Sequence, residues 1–210
     1  MAQDLAQGGF GFGGKRVQAT VMFCDIRGFT SIVESQGPEE TIELLNSWYT
    51  LMFEAIRSQG GVVNQMIGDG LMAIFGMRTT PQRACTQALL AARLMGERMD
   101  EMNRALAGDL AEPIAIGIGI HAGDAILGEI GYRDHHVLTA IGDAVHVAAR
   151  LQDACKDYAC TLVVSQVVAD TAQADLGDRP QHDIAVRGRA EGMRIRAVRD
   201  LSTLAGVTSS

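Results

Sequence analysis

Two periodicities take turns along this chain. VQATVMFC, residues 17–24, is apolar and β-branched and predicts a buried strand. GPEETIELLNSWYTLMFEAIRS then sets Ile42, Leu45, Tyr49, Met52 and Ile56 at steps of three and four. With Pro38 and two glutamates at its head, it predicts an amphipathic helix with a favourable first turn. GVVNQMIGDGLMAIFG predicts two short strands around a Gly-Asp turn, and PQRACTQALLAARLMGERMDEMNRAL a second long helix headed by proline. PIAIGIGIHAGDAILGEIG is strand-like, with a bend expected at its Gly-Asp pair. After a loop YRDHH come VLTAIGD, a helix AVHVAARLQDACK, a short strand TLVVS, a short helix, and a last strand pair around IAVRGRAEGMRIRAV. Interleaved helices and strands, hairpins among them, predict an α+β fold with helices packed on a mixed sheet.

Length and composition narrow the picture only a little. The 210 residues suit one domain, expected at 17–199. Gly-rich residues 1–16 read as a flexible leader or linker stub, and residues 200–210 as a flexible tail. Apolar residues at 47 % and charged residues at 20 % are ordinary for a globular protein. A net charge of −7 argues against a nucleic-acid partner, while leaving room for a local anion site built from a few arginines and metal ions. No apolar run reaches the roughly 20 residues of a membrane span, so no direct membrane contact and a cytoplasmic location are expected for this segment. Cys24, Cys85, Cys155 and Cys160 show no C-x-x-C pair and read as reduced core residues. His135 and His136 lack a ligand cluster and read as solvated loop residues.

The chemistry lies in the carboxylates. Asp25 ends the first strand and Asp69 sits in the IGDG turn. If strands 17–24 and 62–67 lie side by side, both acids reach one edge of the sheet. Paired acids repel unless a cation lies between them, and hard oxygen ligands suit Mg²⁺ or Mn²⁺. A two-metal site then fits chemistry at phosphorus. Taken singly, each Asp would equally well cap a turn.

Four segments in order, FCDIRGFTSIVE, GGVVNQMIGDGLMAIFG, GIGIHAGDAILGEIG and TAIGDAVHVAARLQ, resemble the catalytic domain of class III adenylyl and guanylyl cyclases. The resemblance covers about residues 15–199. It implies a ferredoxin-like, polymerase-palm-related fold, formation of a cyclic nucleotide with release of pyrophosphate, two divalent cations, and a homodimer with interfacial sites. Carried over by position, Asp25, Asp69 and the carbonyl of Ile26 match the metal ligands. The turn through Phe29 and Thr30 would present backbone N–H groups to the triphosphate. Arg27 is expected to be structural first and an aid to charge balance second. From the partner subunit, Arg150 matches the arginine at the α-phosphate, and Arg187 aligns with a lysine for the terminal phosphates. Arg133 is a further candidate of uncertain register.

Two positions depart from the family pattern. Gln65 stands where adenylyl cyclases carry Lys and common guanylyl cyclases carry Glu. A neutral amide both donates and accepts, so it suits either purine. Thr139, at the other base-contacting position, fits adenylyl cyclases and tips the expectation to ATP over GTP. His146 replaces the Asn that orients the ribose, which predicts weaker or unusually pH-dependent turnover. The alternatives are a guanylyl or dual-specificity cyclase, and a nucleotide-sensing module that dimerises without turnover.

Overall fold

The computed structural model describes residues 14–108, 110, 112–132, 135–176, 181–184 and 192–206. In chain order these form β1 (Lys15–Ile26), α1 (Phe29–Ser35), α2 (Pro38–Ser58), β2 (Val62–Ile67), β3 (Gly70–Phe75), α3 (Pro81–Ala105) and β4 (Ile116–Tyr132). Then follow β5 (His135–Ile141), α4 (Asp143–Ala154), β6 (Leu162–Ser165), α5 (Gln166–Ala172), β7 (Gln181–Ile184), β8 (Met193–Val198) and a 3-10 helix (Leu201–Gly206). The strands make one mixed sheet in the order β2-β3-β1-β4-β6-β8-β7, with β5 paired to the outer half of β4. Only the β4–β6 pair is parallel among the described strands. This is the α+β architecture the periodicities predict.

Alternation along the central strands sets the layers. In β1, Met22, Cys24 and Ile26 face one side, while Ala19 and Val21 face the other. In β3, Leu71, Ala73 and Phe75 alternate in the same way with Met72 and Ile74. The first side packs against α2, α3 and α5, which contribute Trp48, Met52, Leu89, Met95 and Val168. The second packs against α4 through Ala144 and Ala148, whose small side chains let the helix lie close to the sheet. At α3, Pro81 follows a Thr80 cap whose hydroxyl accepts from the Arg83 N–H, so the helix starts where the sequence places it.

Several expectations are corrected. β1 pairs with β3, not with β2, which lies one strand further out. The Gly123–Asp124 pair is no bend: β4 runs unbroken for 17 residues, and Asp124 lies opposite Gln18, whose side-chain amide donates to it at 2.5 Å. His135 and His136 belong to β5, opposite Tyr132 and Gly131, rather than to a loop. On α2 the buried face is Thr41, Leu44, Trp48, Met52, Ala55 and Ile56, while Ile42 is 60 % exposed. Trp48, the largest fully buried side chain, sets the rotation of that helix. Leu201 and Leu204, in a stretch that reads as tail, are buried, Leu201 against Gly96 of α3. All four cysteines are free and buried. Among the described residues no helix is long and apolar enough to cross a membrane.

Candidate active site

β1 continues past the expected end of its apolar run, so Asp25 lies inside the sheet, opposite Gly70 of β3 and Gly117 of β4. Neither neighbour has a side chain to screen it. Asp69 occupies the β2–β3 turn at the same end, and its carbonyl accepts from the Ile26 N–H at 3.2 Å. Tyr49 of α2 pins that turn: its hydroxyl donates toward the carbonyls of Gly68 and Gly70, at 2.7 and 3.1 Å. Both carboxylates therefore meet at one edge, as the pattern predicts, although the strand between them is β3.

The electrostatics of Asp25 are those of a group awaiting a partner. Burial pushes its carboxyl above its ordinary value, and the Asp69 charge pushes it further. Lys156, the amide of Gln152 and Arg27 offset part of this. Its Oδ1 is buried without a hydrogen-bond partner. Burial and Asp69 likewise raise the Tyr49 phenol. Among the described residues no third His, Cys, Asp or Glu joins the pair. Two hard carboxylates with an unsatisfied oxygen suit Mg²⁺ or Mn²⁺, which fill their remaining positions from water or substrate oxygens.

Directly after β1 the chain turns through Gly28, at φ 65°, a conformation that glycine adopts without strain. This left-handed residue opens α1, so the N–H groups of Phe29 and Thr30 point out of the first turn and find no acceptor among the described residues. Phe29 packs against the core, and Thr30 is exposed. Arg27 turns inward, where its guanidinium donates to the Cys160 carbonyl at 2.5 Å and ties this turn to the start of β6.

The other candidates sit elsewhere. His146 and Arg150 lie one turn apart on the exposed side of α4, whose buried side is Ala144, Val147, Ala148, Leu151 and Gln152. The charges acting on Asp25 are those of Asp69, Lys156 and Arg27, and Arg150 is not among them. Gln65 is exposed on β2, and Thr139 is buried on β5 opposite Gly128. Those two strands are tied by the Asn64 amide, which donates to the Leu138 carbonyl at 3.4 Å. Arg133 and Arg187 lie outside the described residues.

The family model for the adenylate and guanylate cyclase catalytic domain matches residues 15–196. The chain belongs to this family. An adenylate cyclase of Anabaena cylindrica is 39 % identical over 153 residues, which cover 71 % of this chain and 30 % of that protein. The chain thus spans about 30 % of the length of that curated relative. Among solved structures, the adenylyl cyclase CyaB from P. aeruginosa matches with a TM-score of 0.79 and 26 % identity, over 89 % of this chain and 96 % of that one. The guanylyl cyclase Cya2 matches with a TM-score of 0.78 and 28 % identity, over 94 % and 96 %.

Within this cyclase fold three residues matter that periodicity alone did not single out. Gln152 is buried beside Asp25: the space next to Gly117 is bounded by the Gln152 amide, Asp25 Oδ1 and Arg27 Nε. Its signal was a polar residue on a helix stripe otherwise made of Ala, Val and Leu. Gly119 lets the α4 backbone approach β4 and was legible only as one glycine of an alternating run. Asn64 carried no signal beyond its adjacency to Gln65.

Proposed function

We propose that this domain is an adenylyl cyclase, converting ATP into 3′,5′-cyclic AMP and pyrophosphate at sites shared by two copies of the chain. The observation that carries it is the pairing of Asp25, with its unsatisfied oxygen, and Asp69 at one sheet edge, while Arg150 and His146 face outward from another element. One chain thus offers a cation-binding half and a separate arginine-bearing half, and two copies complete each other. A second observation supports the dimer. The cross-strand pairs Ile126–Ile141 and Ile130–Val137 lie on one face of the β4–β5 hairpin, at 44, 54, 56 and 50 % exposure. Apolar pairs left in water mark an interface.

Asp25, Asp69 and the Ile26 carbonyl would hold two divalent cations. When bound, such cations acidify the ribose 3′-hydroxyl and neutralise the triphosphate. The N–H groups of Phe29 and Thr30 donate to triphosphate oxygens at the head of α1. The 3′-oxygen attacks the α-phosphorus in line, the bond to the β-phosphate oxygen breaks, and pyrophosphate leaves. Arg150 of the second copy holds the charge that builds on the α-phosphate, a task for a planar cation that stays protonated. Arg187 takes the terminal phosphates, Gln65 and Thr139 hold the base, and His146 sits at the ribose. A cytosolic location goes with this reading, because the substrate it requires is ATP.

A guanylyl reading has its own support, since the Gln65 amide serves either purine and Cya2 is a close structural match. Incubating the purified protein with Mn²⁺ and ATP or GTP, with sedimentation alongside, separates these readings. Cyclic AMP from a dimer is expected. Cyclic GMP alone would overturn the substrate, and nucleotide binding without product would leave a sensing module.

A further inference from the structure

The β2–β3 ladder carries one irregularity. Val63 lies opposite Ala73, yet Gln65 lies opposite Met72, so Asn64 is an extra residue with no counterpart on β3. Ala73 and Met72 are consecutive and face opposite sides of the sheet: Ala73 packs toward α2 and α3, and Met72 packs with Ala144 and Ala148 of α4. In a regular strand Gln65 would share the side of Val63. The bulge reverses this and brings Gln65 round to the side on which α4 docks.

The bulge residue itself is held in an unusual way. The Asn64 side-chain N–H donates across to the Leu138 carbonyl at 3.4 Å, bridging β2 and β5, which do not pair with one another. Leu138 directly precedes Thr139. The Oδ1 of the same amide is buried with no partner. A residue chosen for the stability of the isolated fold would not leave a buried carbonyl oxygen unsatisfied. The extra residue at position 64 thus sets the direction of Gln65, and its side-chain amide ties the strand of Gln65 to that of Thr139.

We propose that Asn64 is a positioning residue for base selection: its bulge turns Gln65 and its amide sets the Gln65–Thr139 spacing that reads the purine edge. This rests on the cyclase reading above. It makes selection between ATP and GTP depend on a residue that need not touch the nucleotide.

The test compares wild type with Asn64→Ala and Asn64→Gln. For each, the ratio of kcat/KM for ATP to that for GTP is measured, with competitive binding of the two nucleotides and inhibition by inorganic tripolyphosphate, which probes the phosphate half alone. Asn64→Ala should move the ATP-to-GTP ratio toward unity by about tenfold, the loss of one well-placed hydrogen bond, with tripolyphosphate inhibition unchanged. Asn64→Gln, which keeps the amide, should recover much of the ratio. An unchanged ratio in Asn64→Ala would overturn the proposal. So would a parallel loss of ATP, GTP and tripolyphosphate binding, which marks a merely structural role. Should wild type form no cyclic product, the cyclase reading fails on its own, and the ATP-to-GTP binding ratio still decides the role of Asn64.

Discussion

Replacing Gly119 by alanine tests how tightly α4 must be held. A Cβ at position 119 would stand 2.2 Å from the backbone nitrogen of Gln152 and 2.3 Å from the Ala148 carbonyl oxygen. Ordinary contact begins near 3.4 Å, so the helix backbone would have to withdraw by 3.4 − 2.2, roughly 1 Å. Overpacking of this kind costs about 1–3 kcal/mol. At about 2–4 °C per kcal/mol for a chain of this size, melting falls by about 2–12 °C. The same helix presents His146 and Arg150, and a misplacement of about 1 Å at reacting groups costs about a hundredfold in rate. Gly123, two pleats further along the same face, is the control. Its nearest neighbour would be the Ala144 Cβ at 3.5 Å, an ordinary contact, so Gly123→Ala should stay within about 0.5 kcal/mol of wild type. Calorimetry and cyclic-nucleotide formation with Mn²⁺ and ATP read both effects. If Gly119→Ala melts and turns over like wild type, or if Gly123→Ala is equally damaging, the claim that backbone approach at position 119 positions the helix is refuted.

Three further outcomes are expected. Asp25→Asn should abolish turnover yet raise the melting temperature of the metal-free protein, because it removes a charge held against burial and Asp69. The carboxyl is raised in the folded state, so wild type should lose stability as pH rises from the ordinary carboxylate range through the raised value. Melting curves across acidic pH should show this slope in wild type and not in Asp25→Asn. Mixing inactive Asp25→Asn with inactive Arg150→Ala should restore about a quarter of the wild-type sites, since half the dimers are mixed and each has one intact site; no recovery after subunit exchange would place both residue sets in one chain. Leu204→Ala, at 1 % exposure, should cost about 2–5 kcal/mol in denaturant melts. A neutral result there would show that the 3-10 helix does not contribute to the core.

Element types were legible because the central strands read as continuous apolar runs, buried on both sides, whereas the long helices carry apolar residues at steps of three and four. What failed, failed for identifiable reasons. On α2 the apolar residues are numerous enough to draw more than one stripe, and only packing of Trp48 selects the stripe that is buried. At Gly123–Asp124 a turn signal was overridden by tertiary pairing: Gly123 lies opposite Ala19 of β1, and Asp124 finds Gln18 across the ladder. Leu201 and Leu204 are too few to give a period, yet three residues apart they share one side of a 3-10 turn. From sequence, Asp25 and Asp69 reach one edge only on the assumption that strands 17–24 and 62–67 pair; in the fold they share that end with β3 between them. Of the neighbours that tune Asp25, Arg27 is two residues away and legible in the same motif, whereas Gln152 and Lys156 come from a distant part of the chain, and no spacing rule announces them. The bulge at Asn64 was hidden because a single added residue leaves an apolar strand looking the same.

The unbroken length of β4 has a mechanical consequence. A strand of 17 residues reaches about 55 Å when straight, and this one begins beside Asp25 and ends in the hairpin whose outer face is apolar. Held along its first twelve residues by β1, it behaves as a lever with its fulcrum in the sheet. A neighbour docked on the far arm would touch the same strand that places Gly117 opposite Asp25. In the proposed dimer, the seat of the second copy and the wall beside that acid thus belong to one continuous strand.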